Sequence, residues 1–238
     1  MFIPIHPLQL SLVPPKRIAE LLATFELQLD ESRLNQISTY IDILLRWNAR
    51  TNLTAIRKEE EIVTRHFGES LFAARALFPE RVGTGLRPIL AEQGAAGHLV
   101  DVGSGPGFPG LPIKIWNPRL RLTLIESNQR KATFLREVIR TLTLTKVDVF
   151  PARAETHPPA TADLVTLRAV EHFDQSLPTA AQLVIPGGRL ALLIGSLQVD
   201  QAHHLTPNFT WAPPVLIPSS ETRILLIGAR FTSSTPRT

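Results

Sequence analysis

The chain divides by the rhythm of its apolar positions. Over residues 16–78 these recur with helical spacing. In 31–49, Leu34, Ile37, Ile41, Leu44 and Leu45 fall at i, i+3 and i+4 and define one face of an amphipathic helix. Asp30 is placed to cap it, while Arg33, Arg46 and Arg50 fall on other faces. A second helix is predicted over 58–78, opening with Glu59, Glu60 and Glu61, where a helix N-terminus favours negative charge. The polar link 47–56 between them carries Trp47. From residue 98 the rhythm changes. Short apolar runs at 98–102, 121–126, 147–150, 163–168 and 189–194 read as strands, with helices predicted over 108–117, 128–142 and 174–185. Pro109 sits near the first turn of the first of these helices, and a turn is predicted at 186–188. The segments 211–217 and 222–229 read as an antiparallel pair across a polar turn. Strand–helix alternation of this kind predicts an α/β fold with a doubly wound, mostly parallel sheet behind a helical N-terminal part.

Breaks in the pattern suggest an organisation. An irregular, proline-broken segment covers 1–15, the helical part 16–78, a Gly- and Pro-rich join 79–97, the α/β domain 98–230, and a tail 231–238 expected to be disordered. Composition narrows the chemistry further. The absence of Cys excludes a disulfide scaffold, a thiolate metal site and a Cys nucleophile. It also fits a reducing cytoplasm. No signal peptide or membrane-length apolar run is visible. The formal charge of +4 comes mostly from arginine, with 20 Arg and 5 Lys, which nudges the reading toward an anionic partner.

The stretch "HLVDVGSGPGFPGLPIKI" (98–115) crowds glycines onto the end of the first predicted strand, where open α/β sheets bind ligands. It can be parsed two ways. Gly105-Pro106-Gly107-Phe108-Pro109-Gly110 is a literal dinucleotide fingerprint with Glu126 about twenty residues on, the pattern of a nicotinamide-dependent oxidoreductase. Pro109, however, removes a backbone donor that a pyrophosphate would use. Asp101-Val102-Gly103-Ser104-Gly105 instead resembles the S-adenosylmethionine loop of class I methyltransferases. That resemblance implies that Gly103 and Gly105 let backbone lie against the methionine end. Asp101 would then face the ammonium, directly or through water, and Glu126 would accept from the ribose hydroxyls. No phosphate is involved, so the missing donor costs nothing, and this parse is preferred.

Elimination narrows the acceptor. Methylation at cytosine C5 needs a thiolate, and there is none. No Asn/Asp-Pro-Pro-aromatic turn follows the fourth strand, as adenine N6 transfer would require, and the lysines form no set suited to ribose methylation. A nitrogen with a free lone pair, such as guanine N7, needs no general base.

Six collinear blocks sharpen this: "RWNARTNLTAI" (46–56), "VTRHFGES" (63–70), "DVGSGPGFPGLPIKI" (101–115), "LIESNQRKATFL" (124–135), "ARAE" (152–155) and "VTLRAV" (165–170). Together they resemble the RsmG family, also called glucose-inhibited division protein B, the 16S rRNA guanine-N7 methyltransferases. The resemblance implies S-adenosyl-L-methionine as cofactor, 16S rRNA or the small ribosomal subunit as partner, no metal, no membrane, and a monomer. Carried over by position, cofactor contacts fall on Gly103, Phe108, Glu126, Ser127, Asn128, Ala154, Glu155 and Arg168. Arg168 is suspected of positioning the guanine or the cofactor carboxylate. Arg130, Lys131, Arg153 and Arg223 match basic positions and are candidates for rRNA phosphate contacts. Three departures stand out: Ile194-Gly195 where the family has Lys-Gly, Glu69 where Asp is usual, and a longer join at 79–97. His66 reads as a packed or capping residue, Trp47 as an anchor between helices or a stacking platform for RNA, and His203-His204 as surface. A ribosome- or RNA-binding protein without catalysis is the other alternative, and the intact Asp101, Gly103, Gly105 and Glu126 set argues against it.

Overall fold

The computed structural model describes residues 13–79 and 97–232. Most of segments 1–15 and 79–97, and the tail beyond 232, lie outside that range. Helix α1 (Pro15–Leu22) precedes α2 (Glu31–Thr51), whose first turn is capped as expected: Asp30 accepts a hydrogen bond from the Arg33 amide at 2.8 Å. Asn52, in the left-handed region at φ 45°, ends α2. Its apolar face is buried through Leu34, Ile37, Ile41 and Leu44.

The predicted helix over 58–78 is one continuous run with an internal irregularity. Short α3 (Glu59–Glu61) passes into a π-helical stretch, Ile62–Gly68, and then α4 (Glu69–Leu77). Periodicity analysis assumes 3.6 residues per turn, so a widened turn inside a helix is invisible to it. Gly68 sits where the stretch meets the first helices, and a Cβ there would come 2.5 Å from the Phe25 ring.

The α/β part follows the predicted alternation: β1 (His98–Val102), α5 (Gly110–Trp116), β2 (Arg121–Ile125), α6 (Gln129–Thr141), β3 (Val147–Phe150), β4 (Ala162–Arg168), α7 (Phe173–Leu183) and β5 (Val184–Gly195). The expected turn at 186–188 is instead absorbed into β5, where the register against β4 shifts between Ala162 and Leu164. A helix not foreseen, α8 (Val199–Leu205), follows. The C-terminal pair exists, but 211–217 is not one strand: β6 (Phe209–Trp211) and β7 (Val215–Leu216) flank Pro213-Pro214 and each pairs antiparallel with β8 (Arg223–Arg230). Two prolines cannot donate to a ladder, so pairing stops there.

Strand order is β3-β2-β1-β4-β5-β8-β6, parallel from β3 to β5 and antiparallel beyond, with β7 also on β8. The order reverses between β1 and β4, and that is where an open α/β sheet receives a ligand. One sheet face is covered by α7 and α8. The other shares a single core with the N-terminal helices: Leu99, Leu122 and Leu124 of the sheet pack in one cluster with Ile37, Tyr40, Leu44 and Phe67. Trp47 ties α2 to α6, donating from Nε1 to Glu137 Oε2 at 2.9 Å and meeting Phe134 edge-on.

Candidate active site

At the carboxyl end of β1 the chain makes its tightest manoeuvre. Gly103 (φ +66°) is exposed, and a Cβ there would lie 3.2 Å from Val170. At Gly107 (φ +89°) a Cβ would run into the Tyr40 hydroxyl and come 2.6 Å from Leu111. Both positions are in the left-handed region that glycine alone enters cheaply. The loop is held by its own backbone and by two acids. Ser104 N donates to Ile125 O at 3.0 Å, Gly107 N to Ser104 O at 2.7 Å, and Tyr40 Oη to Pro106 O at 2.5 Å.

Glu126, 7% exposed at the end of β2, accepts from Gly105 N at 2.9 Å through Oε2 and from Asn128 N at 2.7 Å through Oε1. A carboxylate offers about four lone-pair sites, so this one still has acceptor capacity for a diol. Ser127 and Asn128 are exposed beside it, and the Asn128 side chain caps α6 by accepting from the Arg130 and Lys131 amides. Ala154, half-buried, and Glu155, exposed, lie on a short turn after β3. Because β3, β2 and β1 are adjacent and parallel, the sheet gathers Gly103, Gly105, Glu126, Ser127, Asn128, Ala154 and Glu155 along one edge. An exposed glycine with room on one side and a carboxylate at the neighbouring strand end suit a nucleoside with an extended polar tail.

Two expected contacts are placed differently. Asp101 is fully buried beneath the loop: Oδ1 accepts from Thr166 Oγ1 at 2.6 Å and Oδ2 from Gly110 N at 3.2 Å. Burial pushes its carboxyl up to about 6, against the opposing pull of these hydrogen bonds. It braces the loop from inside. Phe108 is buried too, with its ring stacked between Tyr40 (5.4 Å, 8°) and His66 (4.6 Å, 16°), so it joins the loop to the N-terminal helices.

The second half of the cleft lies at the ends of β4, β5 and β8, under the π-helical stretch. A cavity of about 270 Å³ is lined by Arg65, Glu69, Arg168, Val170, Ile194 and Arg223, among others. Its polar centre is Glu69, a buried carboxylate that three arginines approach: Arg168 Nη2 at 3.0 Å, Arg223 Nε at 2.7 Å and Arg65 Nε at 3.4 Å. Arg168 also donates to Arg65 O at 2.6 Å and reaches His66 Nδ1 at 3.3 Å. Since a guanidinium can only donate, His66 Nδ1 accepts and Nε2 carries the hydrogen shared with Thr54 Oγ1 at 2.9 Å. Burial and the neighbouring arginines hold His66 down to about 3, so it is neutral.

Arg168 is thus pinned to the π-helical stretch and not extended into open space. Arg223 belongs to this cavity and not with Arg130, Lys131 and Arg153, which lie along the first turn of α6 and before the turn after β3, Arg130 and Arg153 exposed and Lys131 half-buried. Ile194, in the family's Lys position, contributes only an apolar wall. Arg65 and Tyr40 do not stand out as site residues in the sequence, and Glu69 does so only as a departure within the block 63–70; its i, i+4 spacing from Arg65 is the local signal that could have linked the two. Among the described residues no group of His, Cys, Asp or Glu is arranged to hold a metal, and no helix is long and apolar enough to cross a membrane. His203 stacks on Trp211.

A family model described as GidB, rRNA small subunit methyltransferase G, matches residues 33–215. The chain is 38% identical over 220 residues to the ribosomal RNA small subunit methyltransferase G of Roseiflexus sp. (strain RS-1), covering 86% of each. It is 37% identical over 185 residues to that of Xanthomonas campestris pv. campestris (strain B100), covering 77% of this chain and 79% of the relative. Among solved structures it is similar to a predicted O-methyltransferase from Agrobacterium tumefaciens, with TM-score 0.52 and 19% identity over 61% of this chain and 79% of that one. It is also similar to P. horikoshii TYW2 in complex with MeSAdo, with TM-score 0.50 and 16% identity over 59% and 60%. At these identities the two structures speak for the fold.

Proposed function

The chain belongs to the rRNA small subunit methyltransferase G family, and from that premise we propose that it transfers a methyl group from S-adenosylmethionine to N7 of a guanine in 16S rRNA, acting as a monomer in the cytoplasm. It is an S-adenosylmethionine-dependent rRNA methyltransferase; the acceptor atom is the reading that the cleft and the family's usual specificity support together. One observation carries it: Val170 lines the 270 Å³ cavity and also sits 3.2 Å from where a Gly103 side chain would begin. The glycine loop and the cavity are therefore two halves of one cleft.

Gly103 and Gly105 offer backbone to the methionine part, Glu126 its carboxylate to the ribose, and Ser127, Asn128, Ala154 and Glu155 the rim around the base. When bound, the cofactor supplies an electrophilic methyl on a sulfonium. That methyl would pass to the guanine N7 lone pair as its bond to sulfur broke, so the purine would become cationic and the sulfonium a neutral thioether. No proton leaves the acceptor at N7, so the protein's task is to hold two partners in line. Arg168, fixed on Glu69 and His66, keeps the cavity wall in one shape for that purpose. A neutral His66 adds no further positive charge where the purine becomes cationic. Arg130, Lys131 and Arg153 extend a basic rim for the surrounding strand.

The test is methyl transfer from labelled S-adenosylmethionine to unmodified 30S subunits and to stripped 16S rRNA, with the product nucleotide identified by digestion and mass spectrometry. Label in 7-methylguanosine at one site is expected. Label in another nucleotide, with cofactor still bound, overturns the acceptor assignment.

A further inference from the structure

Glu69 has more arginines than it needs. Its side chain is 2% exposed, and Arg168, 11% exposed, already gives it a close partner. Arg65 and Arg223 are different in kind: their side chains are 47% and 29% exposed, and each approaches the same oxygen, Glu69 Oε1, through Nε. Both guanidiniums are thus tethered by their inner edge to one point. Among the described residues their terminal nitrogens have no other ion-pair or hydrogen-bond partner. Arg168 by itself supplies the counter-charge that burial of Glu69 demands, so Arg65 and Arg223 are not needed to neutralise it. Three guanidiniums against one carboxylate also leave the cluster with two positive charges in excess. Both arginines line the cavity beside the glycine loop.

We propose that Arg65 and Arg223 form a pincer for one phosphodiester of the RNA strand that delivers the acceptor base, with Glu69 as the positioning residue that sets their spacing. The inference rests on the functional reading above and deepens it. A phosphodiester presents two anionic oxygens, and two side-by-side guanidiniums offer a planar fork to each. Tethering through Nε prepays the ordering of two long side chains, which otherwise weakens arginine–phosphate contacts. The π-helical stretch and the start of β8 supply one jaw each, so the grip exists only when the N-terminal helices are docked on the sheet.

The experiment compares Arg65→Gln, Arg223→Gln and the double variant on stripped 16S rRNA across a range of KCl, alongside anisotropy of a fluorescent single-stranded RNA. Glu69 keeps Arg168 in every variant, so folding is expected to survive and melting curves check it. Each single variant should raise KM for RNA about tenfold, with kcat changed less than about twofold and S-adenosylmethionine affinity unchanged. The double variant should fall well short of the product of the singles. It should also reduce the slope of log affinity against log salt by about 0.7, one phosphate's worth, where two separate phosphates would take about 1.4. The larger slope change with multiplicative losses overturns the pincer. So does an unchanged KM, or a matching loss of cofactor affinity. The anisotropy arm needs no methyl transfer. A wild-type chain that labels no guanine, yet shows the one-phosphate slope change on RNA binding, supports the pincer and overturns only the acceptor assignment.

Discussion

At the ends of β1 and β2 the protein positions backbone, whereas at the ends of β4, β5 and β8 it positions charge. The first region is a loop of left-handed glycines, braced from below by Asp101 and latched from the side by Glu126, with Tyr40 packed against it. The second is one buried carboxylate surrounded by arginines that arrive from the π-helical stretch, β4 and β8. The contrast is what the proposed function asks of each. A neutral ribose and an amino-acid tail would be met by close backbone and a few fixed acceptors, whereas a polyanionic strand would be met by guanidiniums kept from repelling one another.

The two regions should fail differently. Glu69→Ala leaves Arg168 buried without its counter-charge and is expected to cost about 3–5 kcal/mol, read as a large fall in thermal midpoint. A variant that melts like the parent would show that charge balance does not organise this end. In the glycine loop the cost should depend on where a side chain would point. Gly107→Ala drives a methyl into Tyr40 and Leu111 at positive φ and is expected to lose about 2–3 kcal/mol. Gly103→Ala, on the exposed side, should cost about 1 kcal/mol while weakening cofactor binding measurably by calorimetry. Equal stability losses, or unchanged cofactor affinity in Gly103→Ala, would remove the distinction between the loop's structural and binding faces.

A pH effect of its own concerns Asp101, a buried acid that forms no ion pair among the described residues. Its folded carboxyl stands at about 6, above the ordinary 3.8, because burial penalises the charge. Between those values the folded state holds a proton that the unfolded chain has released. The stability this residue contributes is therefore fully present below the lower value, declines as pH rises through the window, and is flat above the upper one. Asp101→Asn should remove that decline. Measured against the variant, the parent should lose about 1–3 kcal/mol on going from pH 4 to pH 7. Parallel pH profiles for the two proteins would mean that the carboxyl is not perturbed.

Much of the α/β part is legible in the sequence. The strand at 98–102, the glycine loop after it, the helix beginning near Asn128 and the parallel sheet all rest on signals carried within a few residues of one another. The collinear blocks likewise point to the family. The α2 cap at Asp30 is legible for the same reason. What misleads is also local. Asp101 ends a strand at the point where an exposed acid would serve a cofactor, yet the pleat turns its side chain toward Thr166 on the neighbouring strand. Phe108 follows the glycines and looks free to touch a ligand, yet Tyr40 and His66 close on both its faces.

From the sequence alone come the elements and the glycine loop, because helix periodicity, capping and glycine conformations are short-range properties, while the kind of chemistry comes from the resemblance that the collinear blocks carry. Only the tertiary structure decided which charges meet. Glu69 stands 99 positions from Arg168 and 154 from Arg223, and no local pattern records that a widened helical turn will lay its carboxylate across the ends of two strands. The partner of a buried charge is chosen by which element packs over it, and that choice is made when the N-terminal helices and the sheet close on their common core.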